Sequence, residues 1–125
     1  MTTELVVDAS AIAAMLFDEP ERDEVRVHTK GAVLHAPNLI QSELANVCAK
    51  KARRDPINRD RYVLALCALP AFDIRLHPIE VPVVAALAIG RNISGYDASY
   101  YWLAREQGLG LVTLDARLKA TFAAP

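Results

Sequence analysis

The sequence has little that would fasten a fold from outside its hydrophobic core. It contains only two cysteines, Cys48 and Cys67, each inside an apolar, helix-like stretch, and both read as buried reduced thiols. No Cys-x-x-Cys, His-x-x-His or Cys/His cluster occurs, which argues against a zinc site. Charge of one sign is missing as well. Lys and Arg number 14 against 15 Asp and Glu, a net charge of −1, which argues against a polybasic nucleic-acid arm or a membrane-surface helix. The longest apolar run, residues 81–89, is too short to span a bilayer and contains Pro82. There are no repeats or low-complexity segments. The opening Met-Thr-Thr-Glu carries no basic leader before the first apolar run. A soluble, cytoplasmic protein without a membrane partner is expected.

What remains is the composition of a globular domain. Hydrophobic residues make up 53% and charged residues 23%, which excludes a disordered chain. With 125 residues, one domain spanning 1–125 is expected. A chain of this length buries about two-thirds of its unfolded surface and needs no disulfide or structural metal.

Short apolar runs alternate with longer helical patterns. Leu5-Val6-Val7 reads as a buried strand ending at Asp8, and residues 9–17 as a helix. Pro20 fits the first position of an acidic helix through Val27. A second strand covers 32–36, stopped by Pro37, and a helix covers 39–53. Asp55-Pro56 breaks that helix, and another runs to about Leu69. A third strand at 74–76, helices at 81–89 and 96–107, a last strand at 111–114 and a short helix at 115–122 complete the chain. Strands alternating with helices predict an α/β fold with a parallel sheet covered on both faces. Ligands of such sheets bind beyond the carboxyl ends of the strands, near a topological switch point.

Acidic residues sit where that rule directs attention. Asp8 ends the first strand, Asp115 follows the last, Asp97 opens the helix before it, and Glu43 lies about one turn into the helix after the second strand. Each has a plain alternative. Asp8 and Asp115 suit helix caps, Ser94-x-x-Asp97 resembles a capping box, and Glu43 suits a solvated helix. On the helical wheel, however, Glu43 falls between Leu39 and Val47, on the arc that faces the sheet. Four carboxylates gathered roughly 4–6 Å apart would repel by about 3 kcal/mol per pair at an effective dielectric near 20. Such a cluster calls for a cation or for shifted pKa values. Carboxylate oxygens are hard ligands, so the cation expected is Mg²⁺ or Mn²⁺.

Val6-Val7-Asp8-Ala9-Ser10, Ser42-Glu43-Leu44-Ala45-Asn46, Tyr96-Asp97-Ala98 and Thr113-Leu114-Asp115-Ala116-Arg117-Leu118, in this order and spacing, resemble the PIN-domain nucleases. The closest resemblance is to the VapC toxins of VapBC toxin–antitoxin modules. An isolated Asp-x-Ser is weak; four acids in this order across nearly the whole chain are specific. The resemblance implies a three-layer α/β/α sandwich around a small, mainly parallel sheet. It implies a Mg²⁺- or Mn²⁺-dependent endoribonuclease that hydrolyses RNA phosphodiesters with metal-activated water, leaving a 5′-phosphate and a 3′-hydroxyl. Asp8, Glu43, Asp97 and Asp115 match the family's acidic quartet, which is both catalytic and metal-holding. Ser10 and Thr113 match its hydroxyl positions, and Asn46 a polar position near the pocket. Many members continue into a further strand where this chain has its last residue, Pro125.

The resemblance also implies partners: an RNA substrate, a VapB-type antitoxin that blocks the acid pocket, a second copy in a homodimer, and DNA only through the antitoxin. The acidic segment 18–24 and nearby apolar helix faces are candidate docking surfaces. Lys50, Lys51, Arg53 and Arg54 head the only basic concentration and extend the helix of Glu43, so they either track RNA phosphates or form a solvated helix end. Tyr96, Tyr100, Tyr101 and Trp102 crowd one helix start and read as core or dimer interface ahead of base stacking. His28, His35 and His77 are scattered and read as structural or exposed. Other readings stay open. A PIN nuclease of general RNA processing has the same site, and a metal-binding signalling or interaction module without nuclease activity is a different class. A phosphoaspartyl phosphatase wants an Asp where Ser10 stands. A receiver domain wants adjacent acids after its first strand, where Val7 precedes Asp8.

The even charge balance has a further reading. Setting the four site acids aside leaves 15 − 4 = 11 acids against 14 bases, so a negative pocket is averaged with a mildly positive surround.

Overall fold

A computed structural model describes residues 2–125; Met1, the first residue of the opening Met-Thr-Thr-Glu, lies outside the described residues. Strands β1 (Glu4–Val7), β2 (Val33–Pro37), β3 (Arg75–His77) and β4 (Gly110–Val112) form one sheet in the order β3-β2-β1-β4. Every pairing is parallel, with Val6 opposite His35 on one side and Leu111 on the other. Helices α1 (Ala9–Leu16) and α2 (Arg22–Thr29) follow β1, and α3 (Ile40–Arg54) and α4 (Arg59–Ala65) follow β2. Helices α5 (Val81–Arg91) and α6 (Gly95–Gln107) follow β3, and α7 (Ala116–Ala123) comes last. The expected α/β architecture with a small parallel sheet is the one the chain adopts.

The strand order dictates the layers. The first two crossovers step from β1 toward β3, and the third returns past β1 to β4. Parallel crossovers are right-handed almost without exception, so reversing direction puts α5 and α6 on the opposite face from α1–α4. The packing agrees: α1 lies against α2 and α3, and α3 against α4, whereas α6 packs on α5, α7 and strands β1, β2 and β4. Val6, Val7, Ile12, Leu44, Tyr100 and Leu103 fill the core between them. Each such side chain contributes roughly 1.5–3 kcal/mol by leaving water. Reversal of the winding leaves a crevice at the carboxyl ends of β1 and β4.

Local chemistry sets where the helices around that crevice start. Asp8, in extended conformation, caps α1 by accepting from the Ala11 amide. Ser94 caps α6 by accepting from the Asp97 amide, and Asp115 caps α7 by accepting from the Leu118 amide. Gly108 ends α6 at φ 65, a left-handed turn that favours glycine, and sends the chain straight into β4.

Four expectations need correction. Pro20 stands in a turn ahead of α2, which starts at Arg22, so it does not open that helix. The helix expected up to Leu69 stops at Ala65. The chain continues to Phe72 as a 3-10 segment, because Pro70 cannot donate to a continuing helix, and turns through Asp73 at φ 49. Cys67 sits on that segment and is exposed, whereas Cys48 is buried as expected. The last strand also ends at Val112, two residues before the predicted limit, because Thr113 and Leu114 turn toward side chains of the crevice.

Candidate active site

Asp8 occupies the mouth of the crevice. Its amide donates to the Val112 carbonyl at 3.1 Å, fixing it at the junction of β1 and β4. Its carboxylate is buried and accepts three bonds: from the Ser10 hydroxyl at 2.6 Å, from the Ala11 amide at 3.2 Å, and from the Thr113 hydroxyl. A carboxylate has about four acceptor positions, so one stays open. The two hydroxyls are fixed in turn. The Leu114 amide donates to Ser10 Oγ, and the Asp115 amide to Thr113 Oγ1, both at 3.0 Å. One network therefore ties the start of α1 to the chain leaving β4.

The other acids face this network. Glu43, in the first turn of α3, is half-buried and accepts from the Tyr100 hydroxyl at 2.9 Å across 57 residues of sequence. Asp97 is half-buried in the first turn of α6, and Asp115 is exposed at the start of α7. Burial raises the Asp8 carboxyl above its ordinary range despite the donors around it. Burial also raises Glu43; the Tyr100 bond opposes this, and the charges of Asp8 and Asp97 add to it. Asp97 is raised by burial and then by Asp115 and Asp8, with Arg117 opposing. The same surroundings push the Tyr100 hydroxyl far above its usual value, so it stays protonated and remains a donor.

The four acids therefore share one field at the predicted crevice. None of the salt bridges among the described residues includes any of them. Buried and half-buried carboxylates that share one field and form no salt bridge are a donor set suited to a hard divalent cation. Among the described residues no three His, Cys, Asp or Glu side chains are gathered closely enough to hold an ion by themselves. A cation seated here would keep several of its waters, as Mg²⁺ does.

The remaining candidates separate. Asn46 joins Ser42, Glu43, Lys50 and Tyr96 around a cavity of about 450 Å³ beside the acids. Lys50 also reaches a second cavity, of about 370 Å³, shared with Ser10, Leu114, Lys51 and Arg54. Lys51 is engaged there, 3.5 Å from Glu19 and over the Phe17 ring. Arg53 lies elsewhere, lining an apolar groove between α3 and α4 with Cys48, Pro56 and Val63. The tyrosines divide too: Tyr100 and Tyr101 are core, while Tyr96 is 67% exposed. The histidines are not all scattered. His35 bonds His77 and Glu4, each at 2.8 Å, across one face of β1, β2 and β3. Sequence reasoning missed Tyr100 as the partner of Glu43, and nothing local in the sequence signals a bond across 57 residues.

The chain is similar to known proteins over nearly its whole length. The PIN domain family model matches residues 5–122. Ribonuclease VapC9 of Mycobacterium tuberculosis is 35% identical over 118 residues, covering 94% of this chain and 90% of that protein. Ribonuclease VapC3 of Pyrobaculum aerophilum is 34% identical over 125 residues, covering 96% and 95%. The crystal structure of PAE2754 from Pyrobaculum aerophilum superposes with a TM-score of 0.76 at 28% identity, over 97% of this chain and 87% of that one.

Proposed function

The chain belongs to the PIN-domain family and, within it, to the VapC type, and we propose on that footing that it is an endoribonuclease serving as the toxin of a type II toxin–antitoxin pair. The observation that carries the chemistry is that Asp8, Glu43 and Asp97 are all raised at the strand-end crevice, by burial first and, for Glu43 and Asp97, by the charges of neighbouring acids as well, Asp115 among them. The names of the similar proteins support RNA as the substrate.

In this reading Asp8, Glu43, Asp97 and Asp115 hold Mg²⁺ or Mn²⁺. Such a cation, when bound, supplies Lewis acidity toward water and phosphate. The side chains supply position. Ser10 and Thr113 lock both oxygens of Asp8. Tyr100 occupies one oxygen of Glu43 and leaves the other for the cation or for the proton of the attacking water. Asp115 spends one oxygen on capping α7 and leaves the other for the pocket. Lys50 and Arg54 are the basic side chains placed to meet phosphates approaching this site.

A VapB-type antitoxin is the partner expected, together with a second copy of the chain, DNA contact only through the antitoxin, and a cytoplasmic location. The groove lined by Ala45, Cys48, Pro56 and Val63, with Leu64 exposed beside it, suits an apolar partner helix. Among the described residues no helix is long and apolar enough to cross a membrane.

The test is induced expression with and without the adjacent upstream gene, with RNA ends mapped, alongside purified protein on circular RNA. Growth arrest relieved by the second gene and circular RNA opened with Mg²⁺ or Mn²⁺, but not with EDTA, are expected. Cleavage without arrest would move the protein to general RNA processing. Linear RNA shortened while circular RNA survives would overturn the endonuclease assignment.

A further inference from the structure

We propose that the cavity between the first turns of α3 and α6 is a nucleobase subsite, which stacks one unpaired base of the substrate on Tyr96 and reads its edge with Asn46 and Ser42. This rests on the endoribonuclease reading and names its substrate as single-stranded RNA.

The cavity, about 450 Å³, is lined by Leu39, Ser42, Glu43, Asn46, Lys50 and Tyr96. That is within the size range of small-ligand sites. It is continuous with the acids: Glu43 belongs to both, and Tyr96 directly precedes Asp97. A base held there sits on a nucleotide next to the phosphate at the acids.

Tyr96 is the only aromatic among the large apolar side chains exposed in the described residues. An aromatic ring in water is a cost unless something covers it, and a flat base is a partner of matching shape. Leu39 adds an apolar wall. The Asn46 amide and the Ser42 hydroxyl each donate and accept, which is the chemistry needed to bond a base edge. Such an edge is free only when the base is unpaired, so the cavity selects loops and single strands over helices.

Lys50 extends the same path. Glu43, Asn46, Lys50 and Arg54 stand at positions i, i+3, i+7 and i+11 of α3, one stripe along the helix. Asn46, Lys50 and Arg54 follow one another at about 6 Å of helix rise, close to the spacing of successive phosphates on an extended strand. Lys50 lines both this cavity and the next, where Arg54 stands. The stripe therefore places a base contact beside the acids and phosphate contacts beyond it.

The test compares a short, fluorescein-labelled single-stranded RNA of mixed sequence with an abasic ribose-phosphate chain of equal length, bound to the wild type, Tyr96→Ala and Tyr96→Trp. The wild type should bind the base-bearing strand more tightly than the abasic one by about 5- to 100-fold. Tyr96→Ala should lose most of that ratio with its salt dependence unchanged, and Tyr96→Trp should restore it. Lys50→Gln should flatten the salt dependence and leave the ratio intact. An equal ratio in wild type and Tyr96→Ala, while the wild type cleaves RNA, would overturn the subsite and leave the nuclease reading standing. A change of oligomeric state in Tyr96→Ala with an unchanged ratio would also overturn it, assigning the ring to an interface. A wild type that neither binds nor cleaves RNA would instead bring down the underlying reading.

Discussion

Asp8 does two structural things with one carboxylate: it caps α1 through the Ala11 amide and gathers the hydroxyls of Ser10 and Thr113. Asparagine keeps one of its two acceptors and removes a buried negative charge that the surroundings already penalise. Asp8→Asn should therefore fold with a thermal midpoint at or above that of the wild type. RNA cleavage should fall by at least about 100-fold, beyond the roughly 10–100-fold typical of losing a group that only supports a metal ligand. Side-by-side melting and cleavage measurements check this, and a variant that still cuts at the wild-type rate would remove Asp8 from the site. The four acids were legible in the sequence because each stands at a strand end or in a helix's first turn, where local pattern and chain order suffice. The bond from Tyr100 to Glu43 and the meeting of His35 with His77 were not, because they depend on how distant segments register once the sheet has formed.

At the scale of elements, α3 links the acid site to the surrounding surface. It carries Glu43 at one end and the basic residues at the other, and Asp55-Pro56 ends it where the sequence indicated. Side matters more than composition here. Lys50 and Arg54 share the stripe of Glu43, Lys51 is engaged by Glu19 and Phe17, and Arg53 lines the α3–α4 groove. Lys50→Gln with Arg54→Gln should weaken RNA binding several-fold and reduce the slope of log K against log salt by about 0.7 for each phosphate no longer neutralised. Arg53→Gln should leave that slope unchanged. A titration in which Arg53→Gln matches the double variant would reduce the stripe to a general charge effect. The helices of the first 55 residues and α6 were legible from periodicity and caps. The stretch 66–72 was not: its apolar residues look like a continuation of α4, but Pro70 makes it a 3-10 segment and leaves Cys67 in solvent.

For the whole molecule, a sheet wound out to β3 and back to β4 gathers negative charge at one crevice, where none of the salt bridges among the described residues includes the four acids. Stability should register that. Raised folded-state values for Asp8, Glu43 and Asp97 mean that the native state holds protons the unfolded chain has already released. Their stabilising contribution is complete below the unfolded values, 3.8 for Asp and 4.5 for Glu, and is lost as pH rises through the folded values. The metal-free wild type should thus lose thermal stability relative to Asp8→Asn as pH climbs through the weakly acidic range. His77, lowered by burial and by His35, pulls the other way below its ordinary 6.5, and the difference between the two proteins cancels it. Under the proposed function Mg²⁺ would bind the ionised acids and should reverse the loss at neutral pH. Mass action gives about 2.7 kcal/mol of stabilisation at 100 times the dissociation constant. That gain should be present in the wild type and largely absent in Asp8→Asn. Parallel melting curves for the two proteins at every pH, with Mg²⁺ moving neither, would mean that the crevice is neither strained by its charges nor built to receive a cation.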